Sequence, residues 1–359
     1  MRLFPPLAIA AILTLALSPL VRRLAIKTGV VDQPSQRKVH QEAMPLLGGA
    51  AIFIAFWAAV FITQPLTKEI IAFCAGSLLI LISGIWDDSR NIRPVLKLVF
   101  QMAAALIVML YGGLRINFVT SLFGAAPINL GWFAFPLTLG WIVGLTNAIN
   151  LMDGLDGLAA GVSGIAAVTI GIIAWMEGFA PAGILALILG VSALAFLPSN
   201  FYPAKIFMGD TGALFLGFSL AVLSIMGLTK MATTVSLFLP ILVLGVPIFD
   251  TLLAIVRRLM NKTPIFSPDK DHLHHRLLAM GLSHKNAVLA VYGVCVFLSL
   301  SAVGISLLPT GQAMMAMFLV TLIVFFGADK AGVIGRKVRA NRAEQEKSAV
   351  AAKGRRDYQ

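Results

Sequence analysis

Charge is what this chain of 359 residues has least of. Only 12% of its residues are Asp, Glu, Lys or Arg, against about 25% in a soluble domain. That scarcity, with 58% hydrophobic residues and a mean hydropathy of +0.90, excludes a large water-soluble protein and leaves little room for a separate soluble domain. Cysteine is nearly absent: Cys74 and Cys295 both fall within apolar runs, which excludes a disulfide framework and a thiolate metal site. Acids are the scarcer sign, 16 against 28 Lys and Arg for a net charge of +12. In a soluble chain that balance would suggest nucleic acid. In so apolar a chain it reads as membrane topology, and no nucleic-acid partner is expected.

What is present is a succession of apolar runs, each near the roughly 20 residues that a membrane-spanning helix needs. They lie near 3–21, 46–64, 69–86, 94–111, 132–149, 158–176, 180–197, 212–229, 235–256, 286–307 and 312–328. The fold class expected is therefore an all-α polytopic membrane protein of about eleven transmembrane helices. The first run has only Arg2 before it, whereas Arg22, Arg23 and Lys27 follow. It reads as a retained anchor that starts outside, not as a cleaved signal. Threading eleven spans from an outer N-terminus puts the C-terminus in the cytoplasm. All but Arg2, Lys68, Arg115 and Lys230 of the 28 cations then lie on or near the cytoplasmic side. So do all 16 acids except Glu69 and Glu177, and all five histidines. Residues 112–131 alternate around Gly124 and Pro127 and predict a small extracytoplasmic hairpin. Residues 1–330 form the expected membrane domain. Residues 331–359 are basic, lack apolar periodicity, and read as a disordered cytoplasmic tail near anionic membrane lipid.

The chemistry gathers at the ends of spans on that one side. Asn147, Asn150, Asp153 and Asp156 interrupt two apolar runs within the stretch 147–157, with Gly154 and Gly157 among them. On a helical turn Asp153 and Asp156 would share a face; as a plain loop, Asp156 would be a helix N-cap. Clustered acids at a membrane edge point more often to a ligand. Asp87 and Asp88 end the third span, where the helix dipole disfavours negative charge. Either one holds a proton or both share a cation, and a hydrated Mg²⁺ meets that need with few carboxylates plus phosphates. Lys97 opens the next span, placed for an anionic headgroup. Lys38 and His40, before Gly48 and Gly49, are either a topology signal or a phosphate anchor. Asp210 lies between Gly209 and Gly212, as an N-cap or as a ligand. Asp250 lies within the ninth span, with an ion partner as the simpler account. Beyond it Asp269, Asp271, His272, His274, His275 and Arg276 share a loop. That spacing is poor for zinc and suits donors to phosphate oxygens.

Acids suited to Mg²⁺, cations suited to phosphate and apolar grooves suited to a lipid tail together predict phosphoryl transfer from a soluble nucleotide-linked donor to a lipid acceptor. An ion-coupled transporter would hold its acids near the bilayer midplane. A metal-dependent prenyltransferase would carry Asp-Asp-x-x-Asp motifs, and the stretch from Asp87 ends in Asn91.

The same segments resemble a known family. Pro34 to Gly49, Gly84 to Asp88, Asn147 to Gly157, Phe207 to Gly212 and His272 to His275 are similar, in order, to the motifs of the polyprenyl-phosphate N-acetylhexosamine-1-phosphate transferases, glycosyltransferase family 4. The resemblance implies transfer of a sugar 1-phosphate from a UDP-N-acetylhexosamine to undecaprenyl phosphate, with release of UMP. The setting it implies is the cytoplasmic face of a bacterial cytoplasmic membrane. It implies Mg²⁺, with Mn²⁺ as a substitute, held by Asn150 and Asp210. Asp87, Asp88, Asp153, Asp156, His272 and His274 would form the catalytic set, and Lys38, His40, Lys97, Asn147, His275 and Arg276 would bind substrate. A homodimer is one option, and direct transfer or a covalent Asp intermediate both stay open. Leu273 interrupts the three consecutive histidines usual in the phospho-N-acetylmuramoyl-pentapeptide branch. The chain is closer to the branch that uses UDP-N-acetylglucosamine at the start of cell-envelope polymers such as teichoic acid or lipopolysaccharide.

The charge asymmetry makes a topological prediction. With Cys74 and Cys295 replaced, a cysteine placed in the tail should resist an impermeant thiol reagent in intact cells, and one placed within 112–131 should react. Labelling of the tail from outside would overturn the orientation.

Overall fold

A computed structural model describes residues 3–33, 43–119, 128–227, 238–263 and 272–330. Lys38, His40, Asp269, Asp271 and the tail 331–359 lie outside them. The chain opens with α1 (Phe4–Thr28), α2 (Gly48–Thr63), α3 (Lys68–Arg90) and α4 (Pro94–Leu106), the last continued by a π turn, Ile107–Tyr111. There follow α5 (Ala134–Met152), α6 (Leu158–Met176), α7 (Ala180–Asn200) and α8 (Gly209–Gly227). The remainder is α9 (Phe238–Val243), α10 (Gly245–Met260), α11 (Leu273–Ala279), α12 (His284–Ser306) and α13 (Thr310–Lys330). The fold is all-α and polytopic, as expected.

The span forecast needs three corrections. Among the described residues eight helices are long and apolar enough to cross a membrane, while α2 and the apolar part of α13 are shorter. The ninth run is two helices that meet at Leu244, where Pro247 has no N–H to return to Val243. The first helix continues past residue 21 to Thr28, so Arg22, Arg23 and Lys27 belong to its last turns. The hairpin near 112–131 is present as an antiparallel pair, β3 (Phe118–Val119) with β4 (Ile128–Asn129). A second pair, β1 (Val31–Asp32) with β2 (Met44–Pro45), was not anticipated.

The hub of the bundle is α8. Every residue from Thr211 to Gly227 is buried, enclosed by α2, α3, α5, α6 and α7. Phe215 and Phe218 meet Phe53 and Phe56 of α2 and Phe73 of α3, with ring centroids 5.1–6.2 Å apart, spacings that favour tilted and edge-on aromatic contacts. Two indoles brace the bundle, Trp57 Nε1 donating to Ser77 Oγ of α3 and Trp141 Nε1 to Ser224 Oγ of α8, each at 3.0 Å. Outer helices turn large apolar groups outward, such as Phe249, Leu252, Leu253 and Val256 of α10. In a helix bundle of this composition that surface faces lipid.

Glycines set how closely α8 is approached. Gly48 N–H donates to Phe207 O at 3.0 Å, and Gly49 N–H to Met208 O at 2.9 Å. A Cβ on Gly49 would fall on the backbone of Gly212, and one on Gly84 on that of Thr211. From the sequence, Gly48 and Gly49 would permit close approach of a phosphate held by Lys38 and His40, and the glycines around Asp210 favour a ligand there over an N-cap. What comes close is instead the protein itself: the backbone of Phe207, Met208 and Gly212 at Gly48 and Gly49, and the Asp88 carboxylate at Gly209. Replacing Gly49 by Val should therefore destabilise the protein by about 2–3 kcal/mol, the scale of overpacking. Gly140→Val, where no heavy atom lies within 4 Å, should stay near wild type. Thermal unfolding in detergent checks both.

Candidate active site

The site is built at the N-terminal end of α8, where α3, α4 and α5 also end or begin. Asp87 lies one turn before the end of α3, and its Oδ1 accepts from Ile92 N–H at 2.8 Å. It does not cap α3, whose unmet C-terminal groups are carbonyls, but ties down the chain just beyond the helix end. Its Oδ2 pairs with Lys97 Nζ at 2.7 Å. The same ammonium makes a very short contact with Asp210 Oδ2. Asn150 Nδ2 donates to Asp210 Oδ1 at 3.0 Å. Four side chains from four helices thus meet at one point.

Asp88 points elsewhere, so the adjacent pair does not share one cation. Its carboxylate accepts from Asp210 N–H at 2.8 Å, Thr211 N–H at 3.1 Å and Thr211 Oγ1–H at 2.6 Å. Asp88 is thereby an N-cap donated by a neighbouring helix, seated where the dipole favours an anion. Asp210 is accordingly not its own helix's cap. Gly209, with φ 69°, leaves the space that the Asp88 carboxylate fills.

The turn after α5 is irregular, so Asp153 and Asp156 do not share a helical face. Burial, reinforced by the charges of Asp210, Asp88 and Asp156, pushes the Asp153 carboxyl up to about 8, so it keeps its proton at pH 7. Asp156 is not an N-cap either, since Gly157 occupies that position of α6. Asp156 Oδ2 accepts from Ala204 N–H at 3.0 Å, and its own N–H donates to His284 Nε2 at 2.9 Å. Tyr202 stacks on His284 with centroids 4.6 Å apart. The Tyr292 hydroxyl donates to Gly157 O. Asp156 thus fastens the turn to α12 and to the segment before α8.

Asn147 lies one turn before Asn150 and exchanges two hydrogen bonds with Gln101 of α4, at 2.6 and 3.3 Å. The histidines approach from α11. Asp250 accepts from Leu273 N–H at 2.8 Å and lies 2.9 Å from His272 Nδ1, so this loop supplies an ion partner for it. His274 is buried beside Gly154, whose missing side chain makes room for the imidazole. Burial, with His275 beside it, lowers His274 to about 3, so the ring is neutral at pH 7. His275 and Arg276 stand on the same helix, with the His275 ring 4.2 Å from that of His274.

The structure brings Asp87, Asp88, Lys97, Asn150 and Asp210 together, with Asn147 one turn away and Asp153 and His274 at the adjoining turn. Gln101, Thr211, His284 and Tyr292 were missed. Gln101 alone carried a signal, an amide inside an apolar span.

A hard cation fits this donor set. Two carboxylates already converge on one positive charge, the Lys97 ammonium, and Asn150 adds an amide. Among the described residues no three of His, Cys, Asp and Glu form a metal cluster. Mg²⁺ asks for less, because it keeps waters and takes one or two carboxylates plus phosphate oxygens.

Residues 70–228 match the model described as glycosyl transferase family 4, a span that contains Asp87, Asp88, Asn150 and Asp210. The chain is 45% identical over 336 residues to a probable undecaprenyl-phosphate N-acetylglucosaminyl 1-phosphate transferase of Bacillus subtilis, covering 92% of this chain and 93% of that one. It is 35% identical over 344 residues to a decaprenyl-phosphate N-acetylglucosaminephosphotransferase of Mycobacterium leprae, covering 87% and 86%. Over 276 residues, 75% of each chain, it is 29% identical to the undecaprenyl-phosphate alpha-N-acetylglucosaminyl 1-phosphate transferase of Escherichia coli K12.

Replacing Asp88 with Asn keeps its size but sets an amide against the donors at α8. We expect a loss of about 1–3 kcal/mol, the scale of an unmet charged hydrogen bond, read by thermal unfolding. Unchanged stability would show that the carboxylate does not hold α8.

Proposed function

The chain belongs to glycosyl transferase family 4, and on that premise we propose that it transfers N-acetylglucosamine 1-phosphate from UDP-N-acetylglucosamine to undecaprenyl phosphate, releasing UMP. The observation that carries this reading is the meeting of Asp87, Lys97, Asn150 and Asp210 where four apolar helices converge. Such a point can hold phosphate and cation at the edge of a bilayer, within reach of a lipid headgroup. We place it at the cytoplasmic face of a bacterial cytoplasmic membrane.

In the reaction an oxygen of the lipid phosphate attacks the sugar-bearing phosphorus of the donor. The bond from that phosphorus to the bridging oxygen breaks, and UMP leaves. Two anions must be brought together, so the residues' task is positioning and charge balance. Lys97 supplies a flexible point charge for phosphate oxygens. Asp87 is placed to orient the lipid phosphate and take up its proton. Neutral His274 can donate one ring N–H to the donor diphosphate, and protonated Asp153 adds no repulsion there. Asp88 and Asp156 contribute indirectly, by holding α8 and the 153–157 turn. Mg²⁺, or Mn²⁺ in its stead, would be held by Asp210 and Asn150 with Asp87 nearby, and would supply Lewis-acid polarisation of the diphosphate.

The test is a purified-protein assay with undecaprenyl phosphate and a panel of UDP-sugars, reading UMP. UDP-N-acetylglucosamine or a close epimer should be accepted and UDP-N-acetylmuramoyl-pentapeptide rejected. Asp87→Asn and Asp210→Asn should each lower turnover at least about a hundredfold, the scale of a lost acid–base or metal contact, and Asp88→Asn should do so by shifting Asp210 with the start of α8. Transfer from the pentapeptide donor alone would overturn the sugar assignment; near-wild-type rates in all three variants would overturn the site.

A further inference from the structure

We propose that Lys97 is a built-in occupant of the cation position and that its displacement couples cation entry to phosphate binding. The inference rests on the Mg²⁺ site proposed above and deepens it.

Asp87 and Asp210 belong to α3 and α8, and the ammonium between them comes from α4. A carboxylate only accepts hydrogen bonds, so Asn150 must turn its Nδ2, not its carbonyl oxygen, toward Asp210. Lys97 and Asn150 therefore each present a donor to Asp210, one on each carboxylate oxygen, and the ammonium fills the space between Asp210 and Asp87. A cation that binds between the two carboxylates enters by exchange with that ammonium. The ammonium must leave Asp210, and the Asn150 amide must rotate to present Oδ1.

The displaced Lys97 then decides the energetics. If it stays beside the incoming dication, two positive centres repel within a part-buried site; its side chain is 22% exposed and that of Asp87 is 12% exposed. If a phosphate arrives as well, the ammonium finds new oxygens on its four-carbon stem. Cation alone should bind weakly, and cation with phosphate tightly. That is a coupling free energy carried by one side chain, and it is reciprocal. A Lys97 that only braced α3, α4 and α8 would behave differently: its loss would loosen the site and weaken cation binding.

The experiment is a Mn²⁺ titration followed by electron paramagnetic resonance on the full-length protein in nanodiscs, with and without UMP, after correction for Mn²⁺ bound by free UMP. In wild type, UMP should raise Mn²⁺ affinity. In Lys97→Met, affinity without UMP should rise about tenfold, the scale of one charge-assisted contact, and the gain from UMP should shrink by a similar factor. With chelator present, the Lys97→Met protein should unfold at a lower temperature than wild type and gain more from added Mn²⁺. Should Lys97→Met fail to fold, Lys97→Gln gives the same comparison with a polar side chain. Unchanged or weaker Mn²⁺ binding in the Lys97 variants, with binding lost in Asp210→Asn, would overturn the exchange role and leave the cation site standing. Undiminished binding in Asp210→Asn would overturn the cation site itself, and this proposal with it.

Discussion

The seat of the α8 N-terminus on Asp88 is the constraint on which the site depends. A helix beginning inside an apolar bundle has donors with no water to meet them, and each one left unmet costs free energy. Asp88 meets two backbone N–H groups and the Thr211 hydroxyl at once. That contact sets the depth of Gly209 and Asp210, and so the point at which Asp210 meets Lys97 and Asn150. The close approaches at Gly49 and Gly84 serve the same end, because a side chain at either position would push α8 away from Asp88.

The six acids around this region therefore divide by task. Asp88, Asp156 and Asp250 are spent on backbone N–H groups of other segments, at α8, Ala204 and Leu273. Asp87 and Asp210 face a cation, and Asp153 is held neutral between them and the histidine helix. A membrane-edge site gains from this division. Six unneutralised carboxylates so close together would repel strongly, whereas helix N-termini and one lysine absorb most of that charge without outside ions.

The gathering of polar residues at helix ends was legible in the sequence, and so was the family whose motifs they carry. Runs of apolar residues gave the helices, and polar interruptions at their ends gave Asp87, Asn150 and Asp210. The partners were not legible. Asp88 and Asp210 lie far apart in the chain, and a carboxylate that caps another helix looks in sequence like one that binds a metal. The glycines misled for a related reason: permission for close approach does not say what approaches, and here it was backbone from α8. Pro247 announced the break in the ninth span, but apolar residues on both sides concealed it. Gln101 stood in plain view inside an apolar run, and its partner Asn147 had already been singled out.

The complete enclosure of α8 also bears on biogenesis. A helix with no side turned to lipid gains little from entering the bilayer alone, and its Asp, Thr and Ser residues make that entry dearer. All five helices that enclose it, α2, α3, α5, α6 and α7, precede it in the chain and leave the ribosome first. Its slot can be assembled before it is made, so the vectorial order of synthesis supplies a berth of aromatic rings and glycines, with Asp88 at its end, for a segment that finishes with no face on lipid.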